Sequence, residues 1–385
     1  MEESARDQPM RILILNYEYP PIGGGGGRLA AKVGAGLVTR GHQVRVLTIG
    51  MPHLPVESME EGVEIRRLRS FRQKEDTSSV AEMAAWVLAA IPSALSEIRR
   101  WKPDVIHAHF AVPTGAVAWM AHCLTGVPYV LTAHLGDVPG GVPEQTDSLF
   151  RYLGPFIAPI WEKAAMTTAV SSFVANLASK AYGLQPEIIL NGMVLPPPPE
   201  VIVHEPPRLL MVGRMSVQKN PLLSVKALAL LHDIPWHCTL IGDGPLLAEA
   251  RAVAERLGLC RRIDFRGWAS ASEVSGVMGQ SDILLMPSLS EGLPMVAIEA
   301  LSNGLALVGS RIRGLTDVAR EGENGNARLF DLAAGAEGMA GALKPYLLDP
   351  QKLLRARTTS LSMAPRFDLE HSLDAYERVL QQAIR

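Results

Sequence analysis

The chain has 385 residues, 48% of them hydrophobic, which is more than one typical core holds and suits two domains. Lys plus Arg (37) nearly balances Asp plus Glu (39), so the strong basic excess of a general nucleic-acid binder is absent. Cys123, Cys238 and Cys260 are odd in number, far apart and without CxxC spacing, which argues against a disulfide framework or a zinc site and fits a reducing cytosol.

Residues 1–9 are polar and acidic, and the apolar run after them is too short for a signal core, so a cytoplasmic protein is expected. Residues 10–16, MRILILN, read as a buried strand. The segment NYEYPPIGGGGGR follows, then a helix over 28–40 ending at Gly41, then a strand over 43–49, QVRVLTI. Arg66, Arg67, Arg69, Arg72 and Lys74 crowd ahead of an apolar helix-like stretch, 80–98, which ends in Arg99, Arg100 and Lys102 beside Trp101. The first reading of this stretch is an ordinary packed helix with a solvated basic end. The other is a basic amphipathic element on an anionic membrane surface, at the inner face of the membrane. Strand patterns return at 104–109, DVIHAH, at 128–134, PYVLTAH, and at 166–170, MTTAV. Residues 111–132 are apolar but broken by Pro113, Gly115, His122, Gly126 and Pro128, so they read as helix, turn and buried strand. No stretch reaches the roughly 18 uninterrupted apolar residues of a spanning helix.

LPPPPE at 195–200 and Glu205-Pro206-Pro207 interrupt the pattern, because consecutive prolines form a stiff extended spacer. The alternation then restarts at 208–213, 237–242, 262–267, 282–287 and 305–310. Strand and helix in alternation imply parallel sheets with helices on both faces. The expected fold is therefore α/β: two doubly wound Rossmann-like domains facing a central cleft, with ligands beyond the carboxyl ends of the strands. The expected domains are 1–195, a linker over 196–206, 207–365, and a final helix in 366–385 packing back on the first.

Three segments carry candidate chemistry. The glycines at 23–27 precede a helix, where backbone N–H groups and the helix dipole favour an anion; a flexible surface turn is the other reading. Arg214 and Lys219 lie on the loop after the second domain's first strand, where two cations suit a diphosphate or stand solvated. In SDILLMPSLSEGLPMVAIEALSNG, Glu291 lies on the loop after a strand and Glu299 on the helix it leads into. A carboxylate there accepts hydrogen bonds from a diol, or stabilises the helix start.

Gly213-Arg214 with Lys219, Gly242-Asp243-Gly244-Pro245, Phe265-Arg266-Gly267 and Glu291 with Glu299 occur in that order. Together with the 20–27 loop, Arg40-Gly41-His42, the 104–109 strand and the 132–137 segment, they resemble the retaining GT-B glycosyltransferases of family 4 (glycosyl transferases group 1), over nearly the whole chain.

The resemblance implies that Arg214 and Lys219 bind the donor diphosphate and offset the charge that develops on the departing nucleotide. Gly23 and Gly24 would add backbone N–H contacts. Glu299 would bind the ribose, and Glu291 the sugar hydroxyls beside the backbone of Gly292, Leu293 and Met295. Gly242, Gly244, Arg266 and Trp268 would flank the base. His134 matches the family's active-site histidine, and Asn16, His109 and Asp137 would lie on the acceptor side. The implied reaction is a front-face, metal-independent transfer of a hexose-type sugar from a UDP- or GDP-sugar to a glycan, glycolipid, cell-envelope or small-molecule acceptor, with no cofactor. Two other classes remain: a related GT-B epimerase or phosphorylase, and a non-catalytic nucleotide-sugar binder. Pro294, Leu135, Val194 and the 313–317 segment depart from the family's usual residues, and bear on sugar identity more than on reaction class.

Overall fold

The computed structural model describes residues 8–72, 78–141, 150, 154 and 156–385. The chain forms two compact units, Met1–Gly192 with Glu370–Arg385, and Met193–Leu369. The division falls at Gly192 rather than 195, and the proline-rich segment belongs to the second unit.

In the first unit, β1 (Arg11–Asn16), β2 (Gln43–Ile49), β3 (Glu57–Glu60), β4 (Val63–Leu68), β5 (Val105–His109), β6 (Tyr129–Ala133), β7 (Met166–Ala169) and β8 (Glu187–Ile188) form one sheet. Their spatial order is β3-β4-β2-β1-β5-β6-β7-β8. Central β1 is parallel to β2 and β5, and Ile12 to Asn16 are all buried, as expected of a strand covered on both faces. The antiparallel hairpin β3–β4 is an addition that the sequence reading missed, because β3 (ESME) is polar and short. Helices α1 (Gly25–Thr39), α2 (Val80–Trp101), α3 (Ala116–Thr125) and α4 (Ser172–Tyr182) join the strands. At the start of α2, Glu82 N donates to Ser79 Oγ (3.3 Å) and Ser79 N donates to Glu82 Oε2 (2.6 Å), a reciprocal capping box.

The basic residues ahead of α2 do not form a single patch. Arg66 pairs with Glu97 (2.6 Å), buried Arg67 pairs with Glu60 (2.8 Å), and buried Arg72 lies over the Tyr17 ring (5.2 Å). Arg69 is exposed, and Lys74 lies outside the described residues.

In the second unit, β9 (Arg208–Val212), β10 (His237–Ile241), β11 (Ile263–Gly267), β12 (Ile283–Met286), β13 (Ala306–Ser310) and β14 (Ala327–Phe330) form a parallel sheet in the order β11-β10-β9-β12-β13-β14. Its helices are α5 (Pro221–Ala229), α6 (Leu247–Arg256), α7 (Ala271–Met278), α8 (Met295–Ser302), α9 (Gly335–Leu348) and α10 (Pro350–Met363). Strand residues Leu209, Leu240, Ile283 and Val308 pack with Leu228, Met339 and Leu343 in one core. Fully buried Asp282 accepts from the Arg208 backbone N–H (2.7 Å), lies 3.0 Å from His204 Nδ1 and contacts the Arg357 guanidinium, so the entering chain is tied to α10.

The last helix, α11 (Leu369–Ile384), belongs almost wholly to the first unit. Arg40 reaches Glu370 (2.7 Å), Asp374 (2.7 Å) and Glu377 (2.8 Å), and Tyr376 is fully buried.

Candidate active site

Parallel order sets the carboxyl ends of β11, β10, β9 and β12 side by side; Arg266 lies at the end of β11, Met295 and Glu299 on α8, and the second unit's other candidate residues on the loops just beyond the strands. Gly242 N donates to Gly267 O (2.6 Å), Met215 N to Asp243 O (2.8 Å) and Leu289 N to Gln218 O (2.8 Å), so these loops are stitched to one another by backbone. Gly242, Gly244, Arg266 and Trp268 are thereby brought to one end. Trp268 is 76% exposed there, and Arg266 Nε donates to Asp264 Oδ2 (2.7 Å).

Arg214 is exposed at the end of β9. Lys219 turns instead to Glu291, its Nζ 2.5 Å from Oε1, and the same oxygen accepts from Ser288 Oγ at 2.7 Å. Glu291 is only 6% exposed, and a carboxylate so shielded needs this compensation. Gly314 explains part of the shielding: a Cβ there would lie 1.8 Å from the Glu291 carbonyl oxygen, so only glycine lets the 313–315 turn close on the carboxylate's backbone. Gly292, Leu293 and Pro294 carry the chain to α8, which starts at Met295, and Glu299 is half-buried on that helix.

In the first unit the register aligns Asn16 with His109 and His109 with Thr132. His134 follows β6 directly. Its ring stacks on Phe110, with centroids 4.3 Å apart, and its Nε2 lies 3.4 Å from His109 Nδ1. Behind this pair, His107 Nε2 meets Thr132 Oγ1 (2.8 Å), which meets Thr168 Oγ1 (2.8 Å). Burial holds His107 and His134 down to about 3, and holds His109 well below the ordinary range. All three are therefore neutral imidazoles near neutral pH, and His134 acts as a hydrogen-bonding group rather than as a cation. Asn16 Nδ2 and His109 Nε2 are buried without hydrogen-bond partners among the described residues.

Asp137, expected on the acceptor side, is spent on backbone instead. It accepts from Ala111 N (2.8 Å) and His134 N (2.8 Å), and burial nonetheless pushes its carboxyl up to about 7. It fixes the His134 main chain. Gly26 supports the same ring from α1: a Cβ there would lie 2.4 Å from Phe110 Cζ and 3.1 Å from His134 Nδ1. Gly23 and Gly24 lie ahead of α1, and the Gly24 N–H donates to Glu18 Oε2 (3.0 Å). Sequence reasoning missed Glu18, His107, Ser288 and Gly314. Each serves a neighbour distant in the chain or a loop whose path no local pattern specifies.

Two doubly wound parallel-sheet units, with charged and glycine-rich loops at their strand ends, define the GT-B class of glycosyltransferases. Residues 23–195 match the model for Glycosyltransferase Family 4, and residues 197–359 match that for Glycosyl transferases group 1. The chain is 30% identical over 319 residues to 2-deoxystreptamine N-acetyl-D-glucosaminyltransferase of Streptomyces fradiae, covering 73% of each chain. It is 29% identical over 391 residues to 2-deoxystreptamine glucosyltransferase of Streptomyces kanamyceticus, covering 91% of this chain and 97% of the relative. Anabaena Alr3699/HepE, solved in complex with UDP and glucose, shares the fold with a TM-score of 0.73 at 18% identity, over 96% of this chain and 99% of that one. The chain belongs to the group 1 glycosyltransferases, within family 4.

Proposed function

We propose that the protein is a retaining, metal-independent glycosyltransferase that moves a hexose-type sugar from a UDP- or GDP-sugar to an acceptor hydroxyl, working in the cytoplasm. The observation that carries this reading is the Lys219–Glu291 pair beside exposed Arg214, two cations and a shielded carboxylate on adjoining strand-end loops. Arg214 and Lys219 meet the diphosphate, and Glu291 holds the sugar hydroxyls. The bond from the anomeric carbon to the diphosphate breaks while the acceptor oxygen bonds to the same face of that carbon, and the acceptor's proton passes to the leaving phosphate. Charge develops on that phosphate, where the fixed cations do most. Names among the relatives support a hydroxylated-ring acceptor: both streptomycete relatives are named for transfer to 2-deoxystreptamine, an aminocyclitol. The acceptor class proposed here is a polyhydroxylated ring, in a glycan, a glycolipid or a small molecule.

The test is a thermal-shift screen of UDP-, GDP-, ADP- and CMP-sugars with and without chelator, followed by NMR of the product's anomeric configuration. Ligands that bind only the native state raise its stability. The reading requires a shift with one nucleotide that chelator leaves unchanged, and a product with the donor's configuration. An inverted product, a chelator-sensitive shift, phosphate-dependent release of sugar phosphate or acceptor-free epimerisation each overturns it.

A further inference from the structure

Helix α2 buries four of its 22 residues, Trp86, Ala90, Ala94 and Ile98, a single stripe at four-residue spacing. The side turned to solvent is also apolar. Val80 is 61% and Leu88 75% exposed, and Ala84, Ala85 and Pro92 are exposed between and beyond them. At about 100° per residue, Ala84, Ala85, Pro92 and Arg99 all fall within about 60° of Leu88. A surface helix of a soluble domain carries polar residues on that face. The carboxylates of α2 lie elsewhere: Glu82 caps its start, and Glu97 is held by Arg45 and Arg66.

The stripe runs into Arg99, Arg100 and Lys102, all exposed and none ion-paired among the described residues. A second apolar group lies near the other end. Phe71, 85% exposed, adjoins Arg72, which lies over Tyr17, whose ring packs edge-on against Trp86 at 5.3 Å. By length and composition α2 is apolar enough to cross a membrane. Its buried stripe roots it in the first unit, so it offers one face and not a span.

We propose that this face of α2 docks on an anionic lipid surface, with Val80, Leu88 and Phe71 entering the headgroup boundary and Arg99, Arg100 and Lys102 meeting the phosphates. An apolar stripe ending in unpaired cations, with no carboxylate on it, is complementary to such a surface. The inference goes beyond glycosyl transfer and needs no donor or turnover, so either can fail alone.

The experiment is co-sedimentation of the full chain with vesicles of phosphatidylcholine alone or of an equal mixture with phosphatidylglycerol, at low and high salt. Retention by the mixed vesicles alone, lost at high salt, is expected. Paired Arg99→Glu and Arg100→Glu substitutions should weaken retention at least about ten-fold. Leu88→Ser should weaken it about ten-fold through lost apolar insertion. These positions are exposed, so unchanged thermal midpoints are expected and confirm that the variants fold. Lack of retention at low salt overturns the proposal, as does retention that Leu88→Ser leaves intact. A concentration-dependent dimer that Leu88→Ser dissolves, without vesicle binding, assigns the face to a second copy and overturns it equally.

Discussion

Lys219 and Ser288 converge on one oxygen of the shielded Glu291 carboxylate. Taking away the ammonium leaves a shielded carboxylate with a single hydroxyl donor. Lys219→Ala should therefore cost about 1–3 kcal/mol of stability. Turnover should fall about 10²–10³-fold, the worth of a group that meets developing charge. Glu291→Gln retains the shape and the acceptor oxygen, so its thermal midpoint should stay near wild type while turnover falls comparably. If activity and midpoint fall in proportion in both variants, the pair is a structural tie. Glu18 is a second lever. Its carboxylate takes the Gly24 N–H at 3.0 Å, where the proposed diphosphate contact would form. Glu18→Gln keeps an acceptor and removes the negative charge, so donor KM should fall about two- to five-fold with kcat unchanged. A raised KM would show that the carboxylate orders the loop for the donor.

The start of α1 makes a sharper test than its five glycines imply. Gly25 has nothing within 4 Å of a built Cβ, whereas Gly26 faces Phe110 and His134. Gly25→Ala should stabilise by about 0.4–1 kcal/mol through a less free unfolded chain, leaving activity intact. Gly26→Ala must push Phe110 off the His134 ring; it should lose about 1–3 kcal/mol to overpacking and reduce kcat. Equal behaviour of the two variants would remove the His134 stack from the working site. This contrast also marks what the sequence makes legible. A run of glycines before a helix is visible; that Gly26 in particular must be glycine depends on Phe110 and His134, more than eighty positions away in the chain. Central strands such as RILILN and ILLM were readable because a strand buried on both faces is a continuous apolar run. The edges β3, β8 and β14 were not, being short, polar or half-buried. In the second unit the loop residues Arg214, Lys219 and Glu291, and Glu299 on α8, were legible from motif order. Their pairing was not, because the Lys219–Glu291 contact spans 72 positions and is made by the β9–β12 neighbourhood.

At the scale of the whole molecule, buried titrating groups set an acid limit on stability. His107, His109 and His134 stay unprotonated when folded, the first and last down to about 3, because burial disfavours the cation. Unfolded, each takes a proton near about pH 6.5. Asp137 opposes them: folded it holds its proton up to about 7, while unfolded it releases it near 3.8. Between about pH 4 and 6 the unfolded chain thus binds three protons more on the histidines and one fewer on Asp137. Where the unfolded state binds more protons, stability falls as pH falls, here by about 2–3 kcal/mol per pH unit from these four groups together. His107→Gln removes one titrating imidazole and keeps a side-chain partner for Thr132. Its stability should decline less steeply over that window, by about 1.4 kcal/mol per pH unit, one proton's worth. Thermal or urea midpoints of the two proteins, followed from neutral pH to about pH 4.5, measure the difference. Parallel curves would mean that His107 is protonated in the folded chain, and that its hydrogen bond to Thr132 sits in a wetter interior than the packing of β5, β6 and α11 builds.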